Sequence, residues 1–186
     1  MADNDVNRLA LRLPSLRWEE DFYRMVRDYY DAGESYDQLL EPLLNHLPTY
    51  LRRVEQMARG ISLPAGIVQQ TVYWLIRDDT TIVAMGRLRH YLTASLEKEG
   101  GHIGYTVRPT ERRKGYGTVL CARLIEEARS KLKLSRILIT CDTDNVASAR
   151  IIVKNGGKFE NEVISDWSGK PVSRYWIDFP SQPSND

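Results

Sequence analysis

A chain of 186 residues with 42% apolar and 27% charged side chains can bury a core, and its composition excludes a disordered, collagen-like or disulfide-built protein. A formal net charge of +1 gives no general pull toward nucleic acid or a membrane surface. The start, MADNDVNRLALRLPS, lacks a long apolar run, and no stretch approaches the length of a membrane span, which predicts one cytoplasmic domain over residues 1–186. Cys121, on a predicted helix, and Cys141, ending a predicted buried strand, read as reduced and packed thiols. Neither they nor His46, His90 and His102 make a zinc-ligand spacing, so no metal site is expected.

In chain order, residues 9–13 (LALRL) read as a short strand stopped by Pro14. Trp18, Phe22, Met25, Val26 and Tyr29 then recur at helical spacing, with Glu19, Glu20 and Asp21 suiting the helix dipole and Gly33 closing the helix. A second helical region is expected over Tyr36 to Arg59, interrupted by Pro48. Two β-rich runs around Asp78, Asp79 and Thr80 predict an antiparallel hairpin whose second arm covers Thr81 to Leu92 and whose end carries Arg87, Arg89 and Tyr91 on one face. Thr93 to Gly100 is polar and is expected to be a loop.

Ile103, Tyr105 and Val107 alternate with His102, Gly104 and Thr106, the period of a half-buried strand, which Pro109 ends. Arg112, Arg113 and Lys114 lead into Gly115 and Gly117, and a helix begins at about Tyr116 with Val119, Leu120, Leu124, Ile125, Ala128 and Leu132 as its apolar stripe; Arg123, Glu126, Glu127 and Arg129 are expected to face water. A strand entering a helix through a basic, glycine-bearing loop is a phosphate site, because the first helical N–H groups lack partners and the dipole favours an anion. The apolar run 137–141 predicts a buried strand, so the connection is a right-handed parallel crossover with the loop at the strand's C-terminal end. Asp144 or Asn145 caps a short helix carrying Val146, Ala149, Ile152 and Val153, stopped at Asn155 to Gly157. Two strands, Lys158 to Ile164 and Val172 to Phe179, close the fold, and residues 180–186 are expected to be a disordered tail.

The loop fails two nucleotide patterns. A P-loop needs Gly before Lys, whereas Lys114 precedes Gly115; a dinucleotide fingerprint needs a third glycine where Leu120 stands. RRKGYG does match the Q/RxxGxG/A signature, with Arg112, Gly115 and Gly117 in its three defining positions, and with the surrounding element order it resembles the GNAT superfamily of acyl-CoA-dependent N-acetyltransferases. The resemblance covers nearly the whole chain, the N-terminal helices least specifically. YWLIRD, RLRHYL, GGHIGYTVRP, the CDTDN to NGG segment and RYWI resemble more narrowly an uncharacterised bacterial group of predicted acetyltransferases.

The resemblance implies a GNAT fold of the α/β (α+β) class: a mixed, mostly antiparallel sheet of about seven strands with a central parallel pair and flanking helices. It implies that backbone N–H groups of Arg113, Lys114, Gly115, Tyr116, Gly117 and Thr118 hold the pyrophosphate of acetyl-CoA while Arg112, Arg113 and Lys114 add charge. The strand carrying Tyr105 would splay from its parallel neighbour, with pantetheine in the gap as a pseudo-strand paired with main-chain groups near Tyr105 and Val107, the Val107 N–H facing the thioester carbonyl as an oxyanion donor. Asn145 would contact the pantetheine arm, with Ser148 one helical turn on. The family's helix Tyr, which protonates the leaving thiolate, falls on Ile152 here, so another group, water or unassisted departure takes its place. As base, His102 has a suitable pKa, and Glu97 or Glu99 would act through water.

The implied activity is transfer of the acetyl group to a primary amine by direct attack in a ternary complex. The partners are acetyl-CoA and an amine left open among a metabolite, a drug-like amine, a peptide N-terminus and a lysine; a homodimer is compatible, nucleic acid and membrane are not expected. The acceptor is expected between the N-terminal helices, the Arg87 to Tyr91 end of the hairpin and the RYWI strand. The alternative is a GNAT-like acyl-CoA-binding module that senses or assembles without turnover, which the missing Tyr supports.

Overall fold

A computed structural model describes residues 8–34 and 46–179. Strand β1 (Leu9–Arg12) and a single 3-10 turn (Leu16–Trp18) precede helices α1 (Glu19–Asp31) and α2 (Leu47–Ala58). Then come β2 (Gln70–Arg77), β3 (Thr81–Arg89), the short helix α3 (Ala94–Lys98), β4 (Ile103–Val107), α4 (Tyr116–Ser130), β5 (Arg136–Asp142), α5 (Val146–Lys154), β6 (Lys158–Ile164) and β7 (Pro171–Asp178).

The seven strands form two antiparallel sheets, one in the order β1-β2-β3-β4 and one in the order β5-β7-β6. Alternation divides the side chains of the first sheet between two cores. Val72, Trp74, Ile76, Ile82 and Met85 face α1 and α2, where Phe22 stacks on Trp74 with ring centroids 5.4 Å apart. Tyr73, Leu75, Ala84, Leu88 and Ile103 face α4 and meet Leu120, Leu124 and Ala128. Each Val, Leu, Ile, Phe or Met among them, removed from water, contributes about 1.5–3 kcal/mol. Gly86 permits the close approach of α4, since a Cβ there would stand 2.5 Å from Leu124 Cδ1.

The two sheets meet where β4 and β5 begin. The His102 N–H donates to the Leu138 carbonyl at 2.7 Å, and the Leu138 N–H donates to His102 Nδ1 at 2.9 Å. Gly101, at φ +58, is needed beside this seam, because a Cβ would lie 2.5 Å from the Leu138 oxygen. No ladder joins β4 to β5 beyond it among the described residues. The expected parallel pair, β4 and β5, touches at one end and splays at the other, as the resemblance implies.

Several local expectations change for identifiable reasons. Pro48 starts α2 instead of interrupting a helix, sitting in the first turn where its missing N–H costs nothing, behind His46 as N-cap. Residues 36–45 of that expected helical region, and the tail from Pro180, lie outside the described residues. The expected loop before β4 holds α3, capped by Thr93, and β3 ends at Arg89, not Leu92. Glu127 accepts the Tyr73 hydroxyl at 2.7 Å and does not simply face water. On α5, Val146 and Val153 are exposed and Ile152 is buried, with Ala149 and Ile151 packing beside the core. Among the described residues, no helix is long and apolar enough to cross a membrane.

Candidate active site

The splay leaves one edge of β4 without a strand partner. Arg108 N–H bonds to the Val83 carbonyl and Arg89 N–H to the His102 carbonyl, which makes the even-numbered residues 102 to 108 the ones that face β3. In an antiparallel ladder the intervening residues point their main-chain groups the other way. The N–H groups of Tyr105 and Val107 thus open toward the gap beside β5. That gap is part of a cavity of 720 Å³ whose walls include Tyr105, Val107, Arg113, Gly117, Asn145 and Ser148.

At the far end of this cavity lies the basic loop. Arg113 at φ +63 and Gly115 at φ +87 turn successive N–H groups to one side. Those of Arg113, Lys114, Gly115, Tyr116 and Gly117 have no partner among the described residues, whereas the Thr118 N–H is spent on the Gly115 carbonyl at 3.1 Å. Such a concave run at a helix start binds an anion. Thr118 is the one member of the expected set whose N–H is otherwise engaged.

The side chains of this loop differ from expectation more than its backbone does. Arg112 donates Nη1 to Glu34 at 2.6 Å and Nε to the Val107 carbonyl at 3.2 Å, so its charge is neutralised and it ties the end of β4 to the end of α1. Hydrogen bonding to Arg112 holds the Glu34 carboxyl below its ordinary range. Lys114 and Arg77 share Glu111, at 2.9 and 2.7 Å. Of the three basic residues only Arg113 makes no ion pair among the described residues, because each of its neighbours lies beside a carboxylate. The Tyr116 hydroxyl accepts Arg77 Nη1 at 3.0 Å. Gly117 also lets two elements pack, since a Cβ would stand 2.8 Å from Ile151 Cδ1 and 3.3 Å from Val107 Cγ2.

Asn145 caps α5 by accepting the Ser148 N–H at 3.0 Å, and it lines the cavity as well. The Tyr105 hydroxyl reaches across the splay to Ser148 Oγ at 2.9 Å. Burial raises the Tyr105 phenol well above its ordinary pKa, so it stays protonated. Cys141, half-buried beside Ser148, also has its thiol pKa raised by burial, and Cys121 is pushed up to about 12 by the same cause. Both are free thiols.

His102 does not sit in this cavity. It is 7% exposed, burial pushes its pKa down to about 4, and Nδ1 is taken by the Leu138 N–H. A neutral, engaged ring at the seam joins the sheets, which corrects its expected place as a base. In the region expected for the acceptor, a small cavity lies against Val72, Met85, Arg87 and Tyr105. Trp176 of the RYWI strand faces away, donating to Glu160 and stacking under Arg136. A further cavity beside β4 lies against Arg87, Arg89 and the β6–β7 turn.

A family model described as "Acetyltransferase (GNAT) domain" matches residues 8–158. The chain belongs to the GNAT acetyltransferase family. A curated relative of this GNAT chain, the uncharacterized N-acetyltransferase YoaA of Bacillus subtilis (strain 168), is 28% identical over 108 residues, covering 57% of the chain and 60% of YoaA. Among solved structures, RimJ of Mycobacterium smegmatis in complex with CoA-disulfide superposes with TM-score 0.70 at 16% identity, covering 94% of this chain and 84% of RimJ. The microcin C7 self-immunity acetyltransferase MccE, in complex with acetyl-CoA and AMP, superposes with TM-score 0.65 at 15% identity over 93% of both chains. These likenesses establish a shared GNAT fold.

Proposed function

We propose that this protein transfers the acetyl group of acetyl-CoA to a primary amine by direct attack. The observation that carries the reading is the alignment, along one cavity, of an unpaired β4 edge with a run of unpartnered N–H groups at the start of α4. An extended arm with hydrogen-bonding amides at one end and a pyrophosphate at the other fits that shape. The complexes named for RimJ and MccE, with CoA-disulfide and acetyl-CoA, support the same ligand here.

Acetyl-CoA, when bound, supplies an activated thioester; the rest is done by the chain. The N–H groups from Arg113 to Gly117, with the Arg113 guanidinium, hold the pyrophosphate. Those of Tyr105 and Val107 take the carbonyls of the arm, the thioester oxygen among them. As the amine nitrogen bonds to the carbonyl carbon, the oxygen gains charge, and a preplaced N–H stabilises it by a few kcal/mol. When the C–S bond breaks, the Ser148 hydroxyl, oriented by the Tyr105 phenol, hydrogen-bonds the departing thiolate, which solvent then protonates. The proton released by the attacking nitrogen passes to solvent, since His102 is sealed at the seam.

The alternative, an acyl-CoA-binding module without turnover, draws on Ile152 standing where the family places a Tyr. The Tyr105–Ser148 pair supplies hydroxyl groups to the cavity, and this favours the enzyme. Two free cysteines fit a reducing, cytoplasmic setting. Thiol release from acetyl-CoA in the presence of a panel of primary amines tests the proposal. Amine-dependent release above the hydrolytic background is expected; tight acetyl-CoA binding with no release for any amine would favour the module.

A further inference from the structure

Helix α1 grips β4 on both sides of Val107. Thr106 and Arg108 are two residues apart on extended chain and share a face, the one that Met85 presents to α1 from the neighbouring strand. Thr106 Oγ1 lies 2.9 Å from the Tyr29 hydroxyl. The Arg108 side chain, 9% exposed, reaches two turns of the helix at once: Nη1 donates to both Asp21 oxygens at 3.1 Å and Nε donates to Asp28. The two carboxylates are further engaged, Asp21 by the Ile82 N–H at 2.7 Å and Asp28 by the Thr110 hydroxyl at 2.7 Å.

A strand in mid-sheet has its main chain aimed by a ladder on each edge, whereas the end of β4 has one ladder among the described residues, to β3. On the open edge the Val107 carbonyl accepts Arg112 Nε at 3.2 Å. The Val107 N–H shares a rigid peptide plane with the Thr106 carbonyl, so whatever fixes residues 106 and 108 sets its direction. The Arg108 N–H is itself bonded to the Val83 carbonyl at 3.0 Å. An oxyanion donor acts only if it is aimed before the charge develops, and a displacement of about 1 Å caused at a distance can cost roughly 100-fold in rate.

We propose that α1 is a splint for the oxyanion donor: Thr106 and Arg108, held by Tyr29, Asp21 and Asp28, are positioning residues that aim the Val107 N–H at the thioester carbonyl. The proposal rests on the acetyl-transfer reading above. Stability alone does not call for this arrangement, because apolar side chains of like volume would join a helix to a sheet about as firmly as a buried ion pair. What the guanidinium fork adds is direction, since its donors accept partners in one plane only.

The double variant Tyr29→Phe with Thr106→Val tests this, because it replaces both partners of one link by apolar groups of like shape and should leave overall stability nearly unchanged. Amide hydrogen exchange without ligand should be about 10-fold faster at the Arg108 N–H, while amides in the middle of α4 keep their wild-type rates. In thiol-release kinetics with the most active amine of the panel, kcat should fall about 10-fold and acetyl-CoA affinity should stay within about 2-fold. Arg108→Lys keeps the charge without the fork and should lower kcat further. Unchanged exchange at Arg108 or unchanged kcat in the double variant, or a loss of kcat matched by an equal loss of acetyl-CoA affinity, overturns the proposal. A wild type that turns over no amine would instead sink the transfer reading, and exchange at Arg108 would still decide whether α1 fixes β4.

Discussion

The Tyr105 hydroxyl lies 2.9 Å from Ser148 Oγ, joining the middle of β4 to the first turn of α5 across the gap that separates the two sheets. This contact sets a hydroxyl group beside the main-chain donors of β4, where the thioester of the proposed substrate would be held. Ser148→Ala should lower kcat about 10–100-fold, the value of one hydrogen bond to a charged group. Tyr105→Phe, which loses only the orienting contact, should cost less. Steady-state kinetics and acetyl-CoA titration check this: kcat falls while acetyl-CoA affinity holds, and an equal loss of affinity in Ser148→Ala would assign Ser148 to ground-state binding.

Arg113 is the loop cation without a carboxylate partner among the described residues, and it should carry the loop's charge toward the ligand. Arg113→Ala is expected to weaken acetyl-CoA binding about 10-fold, the scale of one charge-assisted hydrogen bond, with a shallower salt dependence. Arg112→Ala, by contrast, removes the tie between the end of β4 and Glu34 and should lower the thermal midpoint. Titration and thermal denaturation of both variants separate the two roles.

His102 makes stability depend on pH. Its folded pKa, about 4, lies below the ordinary histidine value of 6.5, so the unfolded chain binds more protons between those limits. The contribution is full above pH 6.5 and is lost as pH falls toward 4, a loss of up to about 3 kcal/mol. Urea unfolding across that window should show falling stability with falling pH, and His102→Gln should flatten the slope while lowering stability overall.

Gly101→Ala places a Cβ 2.5 Å from the Leu138 oxygen at a residue with φ +58. The backbone conformation alone costs on the order of 1–3 kcal/mol for a side chain, and the clash adds to it. A clear drop in the denaturation midpoint is expected. Gly117→Ala is a poorer probe of the loop, because it also presses on Ile151.

Much of this was legible in the chain before the structure. The strand-loop-helix order around Gly115, the Asp78–Asp79 hairpin and the Asn145 cap follow from periodicity and turn chemistry, which are local. What stayed hidden depends on long-range pairing of side chains. Arg112 and Glu34 are 78 positions apart, and Tyr105 and Ser148 are 43 apart. No spacing rule joins them. The splay was implied only through resemblance, since alternation in β4 is the same whether its edge meets a strand or a ligand. Glu99 escaped notice as a buried group because its segment is polar, and a capped five-residue helix turns it inward.

Residue-resolved amide hydrogen exchange with and without acetyl-CoA tests the central claim most directly. The N–H groups of Tyr105 and Val107, on the open edge of β4, and those from Arg113 to Gly117 should all exchange more slowly in the presence of acetyl-CoA. Unchanged exchange at these amides under saturating acetyl-CoA, or protection confined to another surface, would contradict the assignment.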